Sequence, residues 1–259
     1  MLLLGVMLLP QLSFAYGAEA HAIIGHVAER FLCADTRDAL LDIDPDYSLA
    51  EAGVWADRIR GNADWDIARP WHYINVPDGM DPMQVERPAK GDVLSAIELQ
   101  QEDLEYGLNL ARAERQALRF LIHFIADVHQ PLHVGRQEDL GGNTVKVRSA
   151  QTRRTSNLHR YWDSDVLANV ADPRAYAAGL LARAEPELAG WQPGELADWA
   201  RESAEFRPLV YEFVPAETGG PVMLDAEYQR RALQIADQRL ALAGLRLASE
   251  LDSLYCSND

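Results

Sequence analysis

Seven histidines occur in the 259-residue chain, and four of them stand in an arrangement that could do metal chemistry. His123 and Asp127 are four residues apart in His-Phe-Ile-Ala-Asp-Val-His-Gln-Pro-Leu-His, and His133 closes that segment. On a helix, residues four apart project from one face, so His123 and Asp127 can meet one ion. Pro131 ends the helix and turns the chain, which brings His133 in from another direction. The spacing recurs in His159 and Asp163 of Asn-Leu-His-Arg-Tyr-Trp-Asp. Earlier, Trp55-Ala56-Asp57 and Trp71-His72-Tyr73 each set one possible ligand beside an aromatic ring. Taken alone, His72 or Asp57 reads as a hydrogen-bonded surface residue, and His123 with Asp127 reads equally as an ion pair on a helix. Phe124, Ile125 and Val128 around that pair predict a dry setting, where unpartnered polar groups are costly and a metal would satisfy them. Imidazole and carboxylate without thiolate suit zinc, and sites holding several zinc ions hydrolyse phosphate esters.

The elements that must position these residues are helical. Apolar residues recur at helical steps in Ile23, Ile24, Val27, Phe31 and Leu32, across Leu49 to Ile59, and through Leu118, Leu121, Ile122, Ile125 and Val128. From Leu224 to Leu254 the pattern predicts one long helix whose only glycine is Gly244. Trp71 to Val76 and Thr144 to Val147 alternate like short strands, the second introduced by Gly141-Gly142-Asn143. Pro208 to Pro221, with Gly219-Gly220, reads as a surface loop. The expected fold is one all-α domain with at most a short β-hairpin.

Residues 1–15 read as a secretory signal: Leu2 to Leu9 is almost unbroken aliphatic, and Ser13-Phe14-Ala15 is a small-x-small cleavage site. The run is too short to cross a bilayer, so the domain expected over residues 16–259 is exported, secreted or periplasmic, and not a membrane protein. Cys33 and Cys256 allow one internal disulfide or two buried thiols, and neither has metal-site spacing. A formal net charge of -16 argues against a broad basic face gripping duplex nucleic acid, though not against a small cationic site.

These features together resemble the S1/P1 family of zinc-dependent nucleases, over nearly the whole chain after residue 15. That family opens with Trp-Gly-x-x-Gly-His; here Tyr16-Gly17-Ala18-Glu19-Ala20-His21 follows the proposed cleavage point. The resemblance implies a helical fold of the phospholipase C/P1 nuclease type and three zinc ions. It makes Asp57, His72, His123 and Asp127 ligands of the first, and His133, His159 and Asp163 ligands of the second. The Tyr16 amine and carbonyl, His21 and a bridging Asp127 would hold the third. It also covers Gly141-Gly142-Asn143 and Trp199-Ala-Arg-Glu-Ser203. Ala20, standing where the family has glycine, requires a negative φ or strain.

The implied activity is endonucleolytic cleavage of single-stranded DNA and RNA to 5′-phosphate products, with 3′-nucleotidase activity, by a monomer. Asp57 and Arg60 are the candidate catalytic residues, the first acting on the attacking water and the second on the phosphate. Tyr73 is a candidate for base stacking, and Asn75, where fungal members carry aspartate, for a weaker base preference. Asn143 is a further candidate substrate contact. His26 and His129 match no ligand position and read as structural. The rival readings are a zinc-dependent phospholipase C, which shares the helical layout, and a non-catalytic periplasmic zinc-binding protein.

Overall fold

The computed structural model describes residues 16–107, 110–188, 191–213 and 220–257. The signal reading of residues 1–15 and Gly219 lie outside them. The elements run α1 (Ala18–Ala28), α2 (Ala34–Ile43), α3 (Leu49–Arg58), a 3-10 segment (Ala63–His72), β1 (Ile74–Val76), α4 (Val93–Tyr106), α5 (Ala111–Val128) and β2 (Val134–Arg136). They continue as β3 (Lys146–Ser149), β4 (Thr155–Asn157), α6 (Leu158–Asp163), α7 (Pro173–Leu188), α8 (Leu196–Glu205), α9 (Arg207–Val210), β5 (Val222–Leu224) and α10 (Ala226–Tyr255). The fold is all-α in class, as the periodicity implies.

Side-chain caps set several helix starts. Ser48 accepts from the Glu51 amide at α3, and Asp225 accepts from the Tyr228 amide at α10. Asp92 and Ser95 form a reciprocal capping box at α4. Each cap satisfies an amide that has no partner inside its helix. α10 has 30 residues and so runs about 45 Å. It packs along α1, where Gly244 faces Val27 so closely that a Cβ would collide with the valine side chain. The single glycine in the long apolar pattern is therefore a contact point between helices. α1 also packs on α3 and α7, and α5 lies against α3 and α4, which puts α5 in the centre of the bundle.

Three expectations need correction. The helix at Ile23 stops at Ala28, leaving Phe31 47% exposed past its end while Leu32 stays buried. The strands exceed one hairpin. β3 and β4 pair antiparallel, but β5 adds to β3 in parallel, with Val147 opposite Val222. β1 and β2 form a separate parallel pair, with Ile74 opposite Val134 and Val76 opposite Arg136. Alternation marked the segments that hold β1 and β3, but β2, β4 and β5, of three residues each, were not read from it. Finally, the segment from Pro208 begins as the helical turn α9 and ends at β5.

Cys33 and Cys256 are joined in a disulfide with Cα atoms 6.3 Å apart, tying the start of α2 to the end of α10. No described helix is long and apolar enough to cross a membrane.

Candidate metal centre

The last turns of α5 carry His123 and Asp127 on one face, both fully buried. His123 Nδ1 donates to the Gly53 carbonyl of α3 at 2.6 Å, which fixes the ring and directs Nε2 at Asp127 Oδ2, 3.1 Å away. His72, at the end of the 3-10 segment, sets Nδ1 2.9 Å from the same Oδ2 and 3.0 Å from His123 Nε2. The other oxygen, Asp127 Oδ1, faces His133 Nδ1 at 3.3 Å and His21 Nε2 at 3.5 Å. One carboxylate thus addresses two sets of imidazoles, one with each oxygen.

A second group gathers around α6. His133 Nε2 lies 3.3 Å from Asp163 Oδ1, and His159 Nε2 lies 3.5 Å from Asp163 Oδ2. His159 Nδ1 donates to the Gly141 carbonyl at 2.7 Å, so its other nitrogen faces the carboxylate. Gly141 holds that carbonyl in place at φ +62°, where a Cβ would sit 2.5 Å from the Leu132 carbonyl oxygen. Only glycine meets both conditions. The ligand-type atoms of His133, His159 and Asp163 lie within 4.8 Å of one another, as do those of His72, His123 and Asp127.

His21, Asp57 and His123 form a third such group, from α1, α3 and α5. Asp57 here groups with His21 as well as with His123, its partner in the family pattern. Two contacts account for it. The rings of His21 and His123 stack with centroids 4.0 Å apart, and Arg60 Nε holds Asp57 Oδ1 at 3.3 Å. Ala20 lies inside α1, so no left-handed backbone is needed there. Tyr16 is fully buried with its ring centroid 6.3 Å from that of His21 and 6.5 Å from that of His133. The Gly17 amide donates to the Asp163 carbonyl at 2.6 Å, which anchors this segment beside the second group.

The donor set fits metal ions. Among the described residues, both ring nitrogens of His21, Asp127 Oδ1, His133 Nδ1 and Asp163 Oδ2 are buried without a hydrogen-bond partner. Buried polar atoms are normally satisfied, so several orphans converging on one region mark where a metal ion could be held. Burial pulls His72 well below its ordinary value, with the Arg60 charge adding to it. Burial likewise lowers His21, helped by neighbouring His123, and lowers His159 despite Asp163. At His123 and His133 burial is outweighed by the Asp127 carboxylate, and both are raised. Burial would raise Asp127, but His123 and His133 together hold it well below the usual carboxylate range.

Other residues singled out from the sequence are placed as follows. Tyr73 is 42% exposed, directly after His72, and Asn75 lies in β1 opposite Gly135 of β2. Asn143 is not in the ligand groups; its side-chain amide donates to the Leu140 carbonyl within its own turn, at 2.8 Å. His26 lies 3.3 Å from Glu29, and His129 donates from Nδ1 to the Ile125 carbonyl at 2.7 Å while Arg246 donates to its Nε2 at 3.1 Å.

Sequence reasoning missed the residues that hold the turn between Asp127 and His133. Gln130 donates to Asp163 Oδ1 at 2.8 Å and accepts from the Leu132 amide at 2.5 Å. Ser203 of α8 donates to the Val128 carbonyl at 2.5 Å, and Arg239 of α10 donates from Nε to the His129 carbonyl at 3.0 Å. A signal existed: Arg239 and Arg246 are seven residues apart, two turns along one face of an apolar helix. Charges at core positions need a partner, here the half-buried Glu202.

Comparison with known proteins adds an independent line. The S1/P1 Nuclease family model matches residues 16–256. The chain is 31% identical to Endonuclease 1 of Arabidopsis thaliana, covering 98% of this chain and 92% of that protein. It is 28% identical to Endonuclease 4 of the same plant, over 97% and 94%. To Nuclease S1 of Aspergillus oryzae it is 26% identical, over 94% and 93%.

Proposed function

The chain belongs to the S1/P1 nuclease family, and from that premise we propose that it is a zinc-dependent hydrolase cutting phosphodiester bonds in single-stranded DNA and RNA. The observation that carries this reading is the convergence of buried, partnerless imidazole and carboxylate atoms in three overlapping groups. Three zinc ions fit the donor set. His72, His123, Asp127 and Asp57 would hold the first, His133, His159 and Asp163 the second, and His21, Asp127 and the Tyr16 amine and carbonyl the third. Such ions supply positive charge that neutralises phosphate oxygens and the acidity that makes water a nucleophile near neutral pH.

The chain's own residues do the rest. Asp57 orients the attacking water and takes its proton, held by Arg60 one helical turn along. Arg60 also donates to the phosphate as charge develops, since guanidinium and phosphate match in geometry. Tyr73, exposed beside His72, stacks on a base, which favours single strands because paired bases hide their faces. Asn75 both donates and accepts, so base preference is weak. Asn143 assists at the rim of the site. The products carry 5′-phosphates, 3′-nucleotides are also hydrolysed, and the protein acts as a monomer. Residues 1–15 direct export and are removed, which frees the Tyr16 amine. Neither the phospholipase nor the zinc-storage reading is favoured by the family match.

The test compares protein starting at Tyr16 with protein carrying one extra methionine before it. Three zinc ions and cleavage of single-stranded DNA are expected in the first, with both reduced in the second. Equal zinc and activity in both would remove Tyr16 from the ligand set, and inactivity of both would refute the nuclease reading.

A further inference from the structure

The chain carries 40 acidic residues against 24 lysines and arginines, so most of its surface repels an anionic polymer. One groove of about 580 Å³ departs from this. Arg136 from the end of β2, Arg201 from α8 and Arg207 from α9 all line it, facing Asp78, Asp81 and Glu205. Three segments distant in sequence thus bring guanidinium groups to one place.

The groove lies at the far ends of two strands that leave the metal centre. β1 begins two residues after His72 and β2 directly after His133, and their in-register ends, Val76 and Arg136, reach toward it. Three residues of strand span roughly 10 Å, which sets Arg136 within reach of the nucleotides next to a phosphate held at the cluster.

The arginines are arranged for a further anion. Asp78 lies 3.0 Å from Arg136 Nε and 4.0 Å from Arg207 Nη1, so one carboxylate serves two guanidinium groups. Its side chain is 56% exposed, and an ion pair in water holds it weakly. Arg201 pairs with Asp81 at 3.1 Å. A guanidinium has five N–H donors, more than one carboxylate engages, so a paired arginine still takes phosphate. Two of the three are held in place before any ligand arrives. Arg207 is buried and donates to the Val76 and Ala204 carbonyls, and Arg136 lies 3.9 Å over the ring of Tyr211.

We propose that this groove is a subsite for the backbone phosphates of the single strand flanking the bond being cut, with Arg136 and Arg201 contacting phosphate and Arg207 supplying a fixed charge. The subsite rests on the nuclease reading and gives it a length dependence: substrates with phosphates beyond the scissile one bind more tightly. A dinucleotide has none and does not use the groove.

The experiment measures hydrolysis of a dinucleotide and of a single-stranded ten-nucleotide oligomer, across a salt series, by the zinc-loaded protein and by its R136Q/R201Q variant. The expected result is a KM for the oligomer raised about tenfold in the variant, with dinucleotide kcat and KM unchanged. The slope of log KM against log salt should also fall by about 0.7 for each phosphate that the variant no longer neutralises. Unchanged oligomer KM, or equal losses on both substrates, would overturn the subsite while leaving the nuclease reading intact. Inactivity of the unmodified protein on both substrates would overturn the two together.

Discussion

Replacing Arg239 by methionine should loosen the metal centre from a distance. Arg239 is fully buried and makes four hydrogen bonds: Nε to the His129 carbonyl at 3.0 Å, Nη1 to Glu202 at 2.7 Å, and Nη2 to Ser203 Oγ at 2.8 Å and the Trp199 carbonyl at 3.3 Å. Methionine fills much of the same volume and donates nothing. The His129 carbonyl is then buried without that donor, at about 1–3 kcal/mol, and the charge-assisted bond to Glu202 disappears, at about 1.5–3 kcal/mol. Two effects offset this. Glu202 keeps both of its bonds to Arg246, at 2.6 and 2.7 Å, so it is not left uncompensated, and removing a buried charge recovers desolvation energy. The net expectation is a loss of about 2–4 kcal/mol in urea unfolding of the metal-free protein. Because His129 sits between Asp127 and His133, zinc affinity should also fall about 10- to 100-fold, the range seen when groups behind metal ligands are removed. Competition with a zinc-binding dye reads that directly. Unfolding within about 0.5 kcal/mol of the parent, with unchanged zinc affinity, would refute the claim that α10 braces the ligand turn.

Stability of the metal-free protein should peak near pH 6.5, the ordinary histidine value. His21, His72, His129 and His159 are lowered in the fold, so the unfolded chain takes up protons first and stability falls as pH drops below 6.5. His123 and His133 are raised, so their contribution is complete below 6.5 and lost as pH rises through their folded values. Thermal unfolding in chelator from about pH 5 to 9 checks this, and a monotonic rise with pH would contradict it. Gly141→Ala should cost the second group its geometry, since φ +62° and the contact with the Leu132 carbonyl both oppose a Cβ. The variant should bind less zinc than the parent by elemental analysis, and full occupancy would show that the Gly141 carbonyl does not position His159. Reducing the Cys33–Cys256 disulfide, whose cysteines are 223 residues apart, should destabilise the fold by about 2–5 kcal/mol on loop-closure grounds. A melting temperature unmoved by reductant would count against it.

What could be read from the sequence was what repeats at a helical step. His123 with Asp127 and His159 with Asp163 follow from i,i+4 spacing, and α10 follows from apolar residues at helical steps between Leu224 and Leu254. The family resemblance supplied the candidate ligands that spacing does not connect, Asp57, His72 and His21, and the fold places each of them in a group with His123. What could not be read depends on contacts across the chain. β1 pairs with β2 across 60 residues, and nothing in the pattern of β2, β4 or β5 set them apart as strands. Whether Cys33 and Cys256 met was open until α2 and α10 were placed. Gln130 acts through hydrogen bonds to a turn and a carboxylate that neither its type nor its position announces, and the place of Arg239 on a core face shows that it needs a partner without showing which. Leu140, at φ +57° beside Gly141, likewise takes its backbone conformation from the turn and against its own preference.

If phosphodiester hydrolysis depends on metal ions held by this cluster, the direct measurement is release of acid-soluble nucleotides from single-stranded DNA by the purified protein, after chelation and after zinc is restored. The expected result is cleavage that chelation abolishes and zinc recovers, with 5′-phosphate ends on the products. Cleavage that survives complete removal of metal would contradict that dependence, as would a zinc-loaded, folded protein that leaves the strand intact.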